Sequence, residues 1–237
     1  MSVAADLDAV EIVASSGGAS TTHLVMMQPN LPRSSRGPSL LVAVVALGAG
    51  ACSDDAIDSN EAARRAYLGL DLSIEKSLNL GFDGFNAASS ANIAPQMTTG
   101  IATGMLTISG QVDQGASTNK GMRLNVGMVD YSDGLIVVVV DDEEVEVDLT
   151  YDTSADVAAQ PYLQLSLRDI PSGTFTGTLT GTYHLRGDIE GEVELNLTMQ
   201  GNLQDGGNGV VLRAPGTTTI TGTATSGDGL YEVAVTL

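Results

Sequence analysis

Two neighbouring stretches, GTFTGTLTGTYHL (173–185) and DIEGEVELNLTMQ (188–200), alternate apolar and polar residues with period two. In the first, Phe175, Leu179, Tyr183 and Leu185 share one side with Gly177 and Gly181, and Thr174, Thr176, Thr178, Thr180 and Thr182 share the other. In the second, Ile189, Val193, Leu195, Leu197 and Met199 oppose Glu190, Glu192, Glu194, Asn196, Thr198 and Gln200. Successive side chains of a strand point to opposite faces, so strict alternation means one buried face and one wet face. Such one-sided strands belong to antiparallel sheets, and Gly187-Asp188 between the two runs suits a tight turn.

The same period appears in Leu106 to Val112, Met122 to Met128, Val145 to Tyr151, Thr217 to Thr225 and Tyr231 to Leu237, with a second hairpin turn at Gly227-Asp228-Gly229. About eight or nine strands follow from this pattern. The abundance of Gly, the few aromatics and the absence of Trp fit short strands better than a helical bundle. A large sheet with one apolar face must curl on itself or be covered. The fold expected is therefore mainly β, an antiparallel barrel, half-barrel or sandwich, preceded by one amphipathic helical segment. Met105, Phe175, Tyr183 and Met199 are candidates for its core.

That segment lies in EAARRAYLGLDLSIEKSLNLGFDGF, where Tyr67, Leu70, Ile74, Leu78, Phe82 and Phe85 recur every three or four residues. Gly69, Gly81 and Gly84 weaken it, so it is expected to end near Gly81 or to be two pieces. NAASSANIAPQMTTG, broken by Pro95, reads as a connector. The helical segment and connector occupy residues 61–95, and the β-domain residues 96–237.

Upstream, Arg33 and Arg36 precede the apolar run Leu40 to Leu47 and the small residues Ala49-Gly50-Ala51. This is the order of a secretory signal. With the small residues through Ala51 the stretch is about a dozen residues, short of the ~20 that a spanning helix needs. The segment Met27–Cys52 resembles a bacterial lipoprotein signal peptide, with Ala49-Gly50-Ala51-Cys52 in the place of the lipobox and Ala49 where Leu is usual. The resemblance implies a diacylglyceryl group on the Cys52 sulfur, cleavage of residues 27–51, and a cell-envelope protein anchored to a membrane, the outer membrane first. Ala49-Gly50-Ala51 also reads as an ordinary A-x-A cleavage site, which implies a secreted or periplasmic domain with a free Cys52 thiol. Residues 52–60 are an acidic tether. Asp6, Asp8 and Glu11 do not suit a basic n-region, so residues 1–26 read as a mis-called start or a disordered leader.

With a net charge of −19 the chain is repelled by phosphate backbones, and nucleic acid is not an expected partner. A membrane barrel would need aromatic girdles, for which there are too few Tyr and Phe. His23 precedes the cleavage site, and His184 stands among threonines on the wet face, so Ser-His-Asp and Cys/His zinc chemistry have no foundation. The run Asp141 to Asp148 (DDEEVEVD) could hold a divalent ion, but its alternation with Val145 and Val147 reads as a solvated strand face. LIVVVV before it reads as a buried strand or an edge guarded by those acids. Asp130 to Gly134 and Phe82 to Asn86 resemble pieces of calcium loops and read as turns.

No cofactor is expected, and no catalytic, cofactor-binding or metal residue is assigned; Cys52 is the one site residue, for lipid attachment. Three functions are compatible. The first is a non-enzymatic, lipid-anchored envelope protein with a structural or partner-contact role. The second is a binding module for an apolar ligand such as lipid inside a barrel. The third is a carboxylate-based hydrolase, which needs acids converging in a cleft.

Overall fold

A computed structural model describes residues 59–140 and 143–237. Two helices, α1 (Asn60–Leu68) and α2 (Asp71–Ala87), precede twelve strands. These are β1 (Asn92–Thr99), β2 (Thr103–Val112), β3 (Lys120–Ser132), β4 (Ile136–Val140), β5 (Glu143–Val147), β6 (Leu149–Asp152), β7 (Tyr162–Arg168), β8 (Thr174–Gly187), β9 (Gly191–Asp205), β10 (Val211–Arg213), β11 (Thr219–Ser226) and β12 (Gly229–Thr236). Ten form one antiparallel sheet in the order β1-β2-β3-β6-β8-β9-β11-β12. Beside β6, β7 also bridges β3 and β8, and β10 pairs with the end of β9. β4 and β5 form a separate hairpin.

The sheet curls around the helices. α2 packs on β1, β2 and β3 and also on β10, beyond β9. Five strand steps span about 24 Å on a flat sheet, twice the width of a helix with its side chains, so only a curved sheet reaches both flanks. β1 and β12 are its two edges and do not pair with each other. The mainly β, half-barrel expectation therefore holds, with the helices laid along the concave face.

Alternation delivers the concave face as read. Phe175, Leu179, Tyr183, Leu185, Ile189, Val193, Leu195, Leu197 and Met199 are all buried. They meet Leu70, Ile74, Leu78 and Phe82 of the helical segment in one continuous core. Phe82 and Phe175 lie edge to face at 5.8 Å. Met105 is a correction: it is 44% exposed. Leu106 and Ile108 take the inner face of β2, and period two then puts Met105 outside, opposite Val129.

The helical segment breaks at Gly69 and continues through Gly81 and Gly84 to Ala87. A Cβ at residue 69 would overlap the Tyr151 hydroxyl, which donates to the Ala66 carbonyl at 2.9 Å. Gly81 lies where α2 presses on β3, and a Cβ there would stand 2.9 Å from Leu124 Cδ1. Ser73 and Ser77 on the same stripe are buried, and their hydroxyls donate to the Leu70 and Ser73 carbonyls at 2.6 and 2.7 Å. Small residues let this helix sit deep in the sheet without orphaned polar groups. Asn86 then fixes its far end: its carboxamide exchanges two hydrogen bonds with the backbone of Val211 in β10, at 2.8 and 2.9 Å.

Several segments depart from the sequence reading. The connector contains an edge strand, β1, in which Pro95 is tolerated because the register shifts between Ile93 and Gln96. Val145 to Tyr151 is two strands broken at Asp148, and LIVVVV belongs to the β4–β5 hairpin rather than to the main sheet. Phe82 to Asn86 is helical, not a turn.

Candidate functional site

On the concave side α1 and α2 pack against the sheet in the core just described. Clefts open at the surface. One adjoins the polar cluster of Arg213 and another lies over an uncharged field, and three further polar clusters stand elsewhere on the domain.

The first cluster joins α2 to the end of β3. Lys76 Nζ lies 2.5 Å from Asp133 Oδ1 and donates to the Tyr131 hydroxyl at 3.0 Å. Tyr131 donates to Asp133 Oδ2 at 2.6 Å, and the Ile101 amide donates to Oδ1 at 3.0 Å. Burial, with the hydrogen bond and charge of Asp133, holds the Tyr131 hydroxyl well above its usual range, so it stays a donor. Both Asp133 oxygens are thus used inside the protein, and Asp130 to Gly134 ends a strand rather than presenting an open ligand loop.

The second cluster is Arg213 on β10. Its Nη2 donates to Glu75 Oε1 at 2.9 Å and Asn79 Oδ1 at 3.2 Å, and its Nη1 to Thr218 Oγ1 at 3.1 Å. Its Nε is buried without a partner. It borders an open cleft of about 350 Å³ with Glu75, Asn79, Asp83 and Gln204. The third cluster is exposed: Arg186 donates to Asp152 Oδ2 at 2.6 Å and to Asp130 Oδ1. Asp152 is partly desolvated, but the Asp130 amide and Arg186 outweigh that and hold its carboxyl below the usual aspartate range. The fourth lies at the start of α2, where Tyr67 donates to Asp71 Oδ1 at 3.0 Å. Burial raises the Asp71 carboxyl, with Glu75 adding to it and the Tyr67 hydrogen bond opposing.

The sequence candidates do not converge on any of these. His184 is exposed on β8 beside Glu192 of β9, Nδ1 to Oε1 3.0 Å. Glu144, Glu146 and Asp148 are exposed and alternate with Val145 and buried Val147, while Asp141 and Asp142 lie outside the described residues. Among the described residues no three acidic, His or Cys side chains converge. Cys52 and the segment Met27–Cys52 also lie outside the described residues; the described chain starts with Ser59, whose hydroxyl caps α1 by accepting from the Ala62 amide at 3.1 Å.

The convex face carries a feature that sequence reading did not assemble. Pairing aligns four strands so that Gln164, Thr178, Thr198 and Thr221 stand in one row across β7, β8, β9 and β11. Ser166, Thr176, Gln200 and Thr219 form the row on one side, and Tyr162, Thr180, Asn196 and Thr223 the row on the other. Neighbours stand about 4.8 Å apart across strands and about 6.8 Å apart along them. No member of the field is charged. An open depression of about 600 Å³ lies over it. The threonine stripe of β8 was legible as a wet face, but its rows depend on strand order.

Comparison with known families, curated proteins and solved structures finds no match to the chain.

Proposed function

We propose that the chain is a lipid-anchored protein of the bacterial cell envelope, held at a membrane through Cys52, whose β-domain serves a structural or partner-contact role rather than catalysis. The observation that carries this reading is the run of charge, apolar stretch and small residues that ends at the chain's single cysteine. An acidic stretch follows at once and leads into the capped start of α1. Two acyl chains anchor stably where one is marginal, because each buried CH₂ contributes ~0.8 kcal/mol.

A domain role in contact rather than chemistry draws support from the polar clusters. Asp133, Glu75 and Asp152 are each engaged by a cation inside the protein. A hydrolase would instead need acids left facing one cleft. The apolar-ligand reading needs a chamber lined by the concave face, and that face is spent on α1 and α2.

The test is acylation. The chain is expressed in a bacterium fed a labelled fatty acid, beside Cys52→Ala. Label and membrane association in the wild type, both lost in the variant, are expected. A wild-type chain that is cut before Cys52 yet unlabelled and soluble overturns the anchor and leaves a secreted or periplasmic domain.

A further inference from the structure

The convex field is neutral in a chain of net charge −19. Along β9 the charge gives out within one row: Glu192, beside His184, and Glu194, between Thr182 and Thr225, are followed by Asn196, Thr198 and Gln200. Within the field only Thr198 and Thr221 bond to each other through their side chains, Oγ1 to Oγ1 3.0 Å. Among the described residues the other side chains of the field make no hydrogen bond within the protein. Their donors and acceptors face outward on a regular two-dimensional grid.

We propose that this face docks a neutral polysaccharide. Hydroxyls and carboxamides both donate and accept, and so do the hydroxyls of a sugar, so the two surfaces match group for group. An uncharged polymer meets no repulsion from a strongly acidic protein at close approach. An anionic polymer meets that repulsion. A cationic partner finds its counter-charges at Glu192, Glu194 and Glu232, which border the field but are not part of it. An apolar partner would strip water from the hydroxyls without replacing their hydrogen bonds. Tyr162, 36% exposed at the margin of the field, offers a ring against which the C–H face of a sugar can lie. The open depression gives a chain of sugars room to lie across the strands.

This names a partner for the contact role proposed above, and it rests on that reading only for where the encounter takes place. The purified full chain, in mild detergent, is run by affinity electrophoresis in gels cast with dextran, a mixed-linkage β-glucan or a galactomannan, with alginate as the anionic control. Retardation in at least one neutral gel and none in alginate is expected. The triple variant Thr178→Ala/Thr198→Ala/Thr221→Ala weakens that retardation about tenfold or more, three hydroxyl contacts being lost. Glu190→Gln/Glu192→Gln leaves retardation in the neutral gel as in the wild type. A circular-dichroism melt of the triple variant at the wild-type midpoint excludes misfolding. The proposal is overturned if no neutral gel retards the chain, or if the triple variant migrates as the wild type does. It is also overturned if sedimentation finds a wild-type dimer that the triple variant abolishes, since the face would then belong to a second copy. The assay does not depend on lipid, so an unlabelled Cys52 and an unretarded chain are separate failures.

Discussion

The same strands present two opposite faces. On the concave side, β8 and β9 place Phe175, Leu179, Tyr183, Leu195 and Leu197 in one core with Ile74, Leu78 and Phe82, while Gly81 and Gly84 let the same helix press on β3 and β1. The Ser73 and Ser77 hydroxyls are satisfied within the helix, and the helix cannot approach with larger residues. On the convex side, the middle stretches of β8 and β9 carry Thr, Gln and Asn, of which only Thr198 spends its side chain on another, that of Thr221. The concave face is committed to the protein's own chain, and the convex face is not.

Substitutions divide along that line, from the largest effect to the smallest. Phe175→Ala opens a hole opposite Phe82 at the centre of the concave face. It is expected to cost about 3–5 kcal/mol, measured by urea unfolding with an unchanged slope. Gly81→Val forces branched carbons into the space of Leu124 Cδ1 and is expected to cost about 1–3 kcal/mol. A wild-type midpoint for Gly81→Val would mean that α2 does not press on β3 as described.

Asp71 sharpens the comparison through pH. Its folded carboxyl is raised above its unfolded value. A raised carboxyl contributes stability below the ordinary aspartate range and loses it as pH rises through the folded value. Asp71→Asn removes that loss, so its melting temperature relative to wild type should rise between pH 3 and pH 7. A difference that stays constant with pH would contradict the burial of Asp71. Last, Thr178→Val on the convex face should shift stability by no more than about 0.5 kcal/mol. A larger loss would show that the field is part of the fold rather than free surface.

The two faces were also unequally legible in the sequence. Period two gives the inner and outer residues of β8, β9, β11 and β12 directly, because each strand is long and one-sided. β10 has three residues and β1 holds Pro95, so neither carries enough alternation to be read. Three glycines interrupt the helical pattern, yet only Gly69 ends a helix. The choice is made by Tyr151, a side chain from β6 that no local pattern reveals. The neutral field escaped for the same reason. Thr178 and Thr198 are visibly exposed, but that Gln164 and Thr221 join their row follows from long-range pairing, with β10 passed over between β9 and β11. Lys76, Arg213 and Arg186 found their carboxylates across such pairings too, and a sequence rich in acids names no particular partner.

The commitment of the concave face is open to direct measurement by native-state hydrogen exchange on the full chain. If α2 is part of the core, the amides from Ser77 to Phe82 should exchange as slowly as those of β8 and β9, through global unfolding. Fast exchange in α2 while β8 and β9 stay protected would contradict the account, because a helix that leaves the sheet exposes the concave face to a ligand.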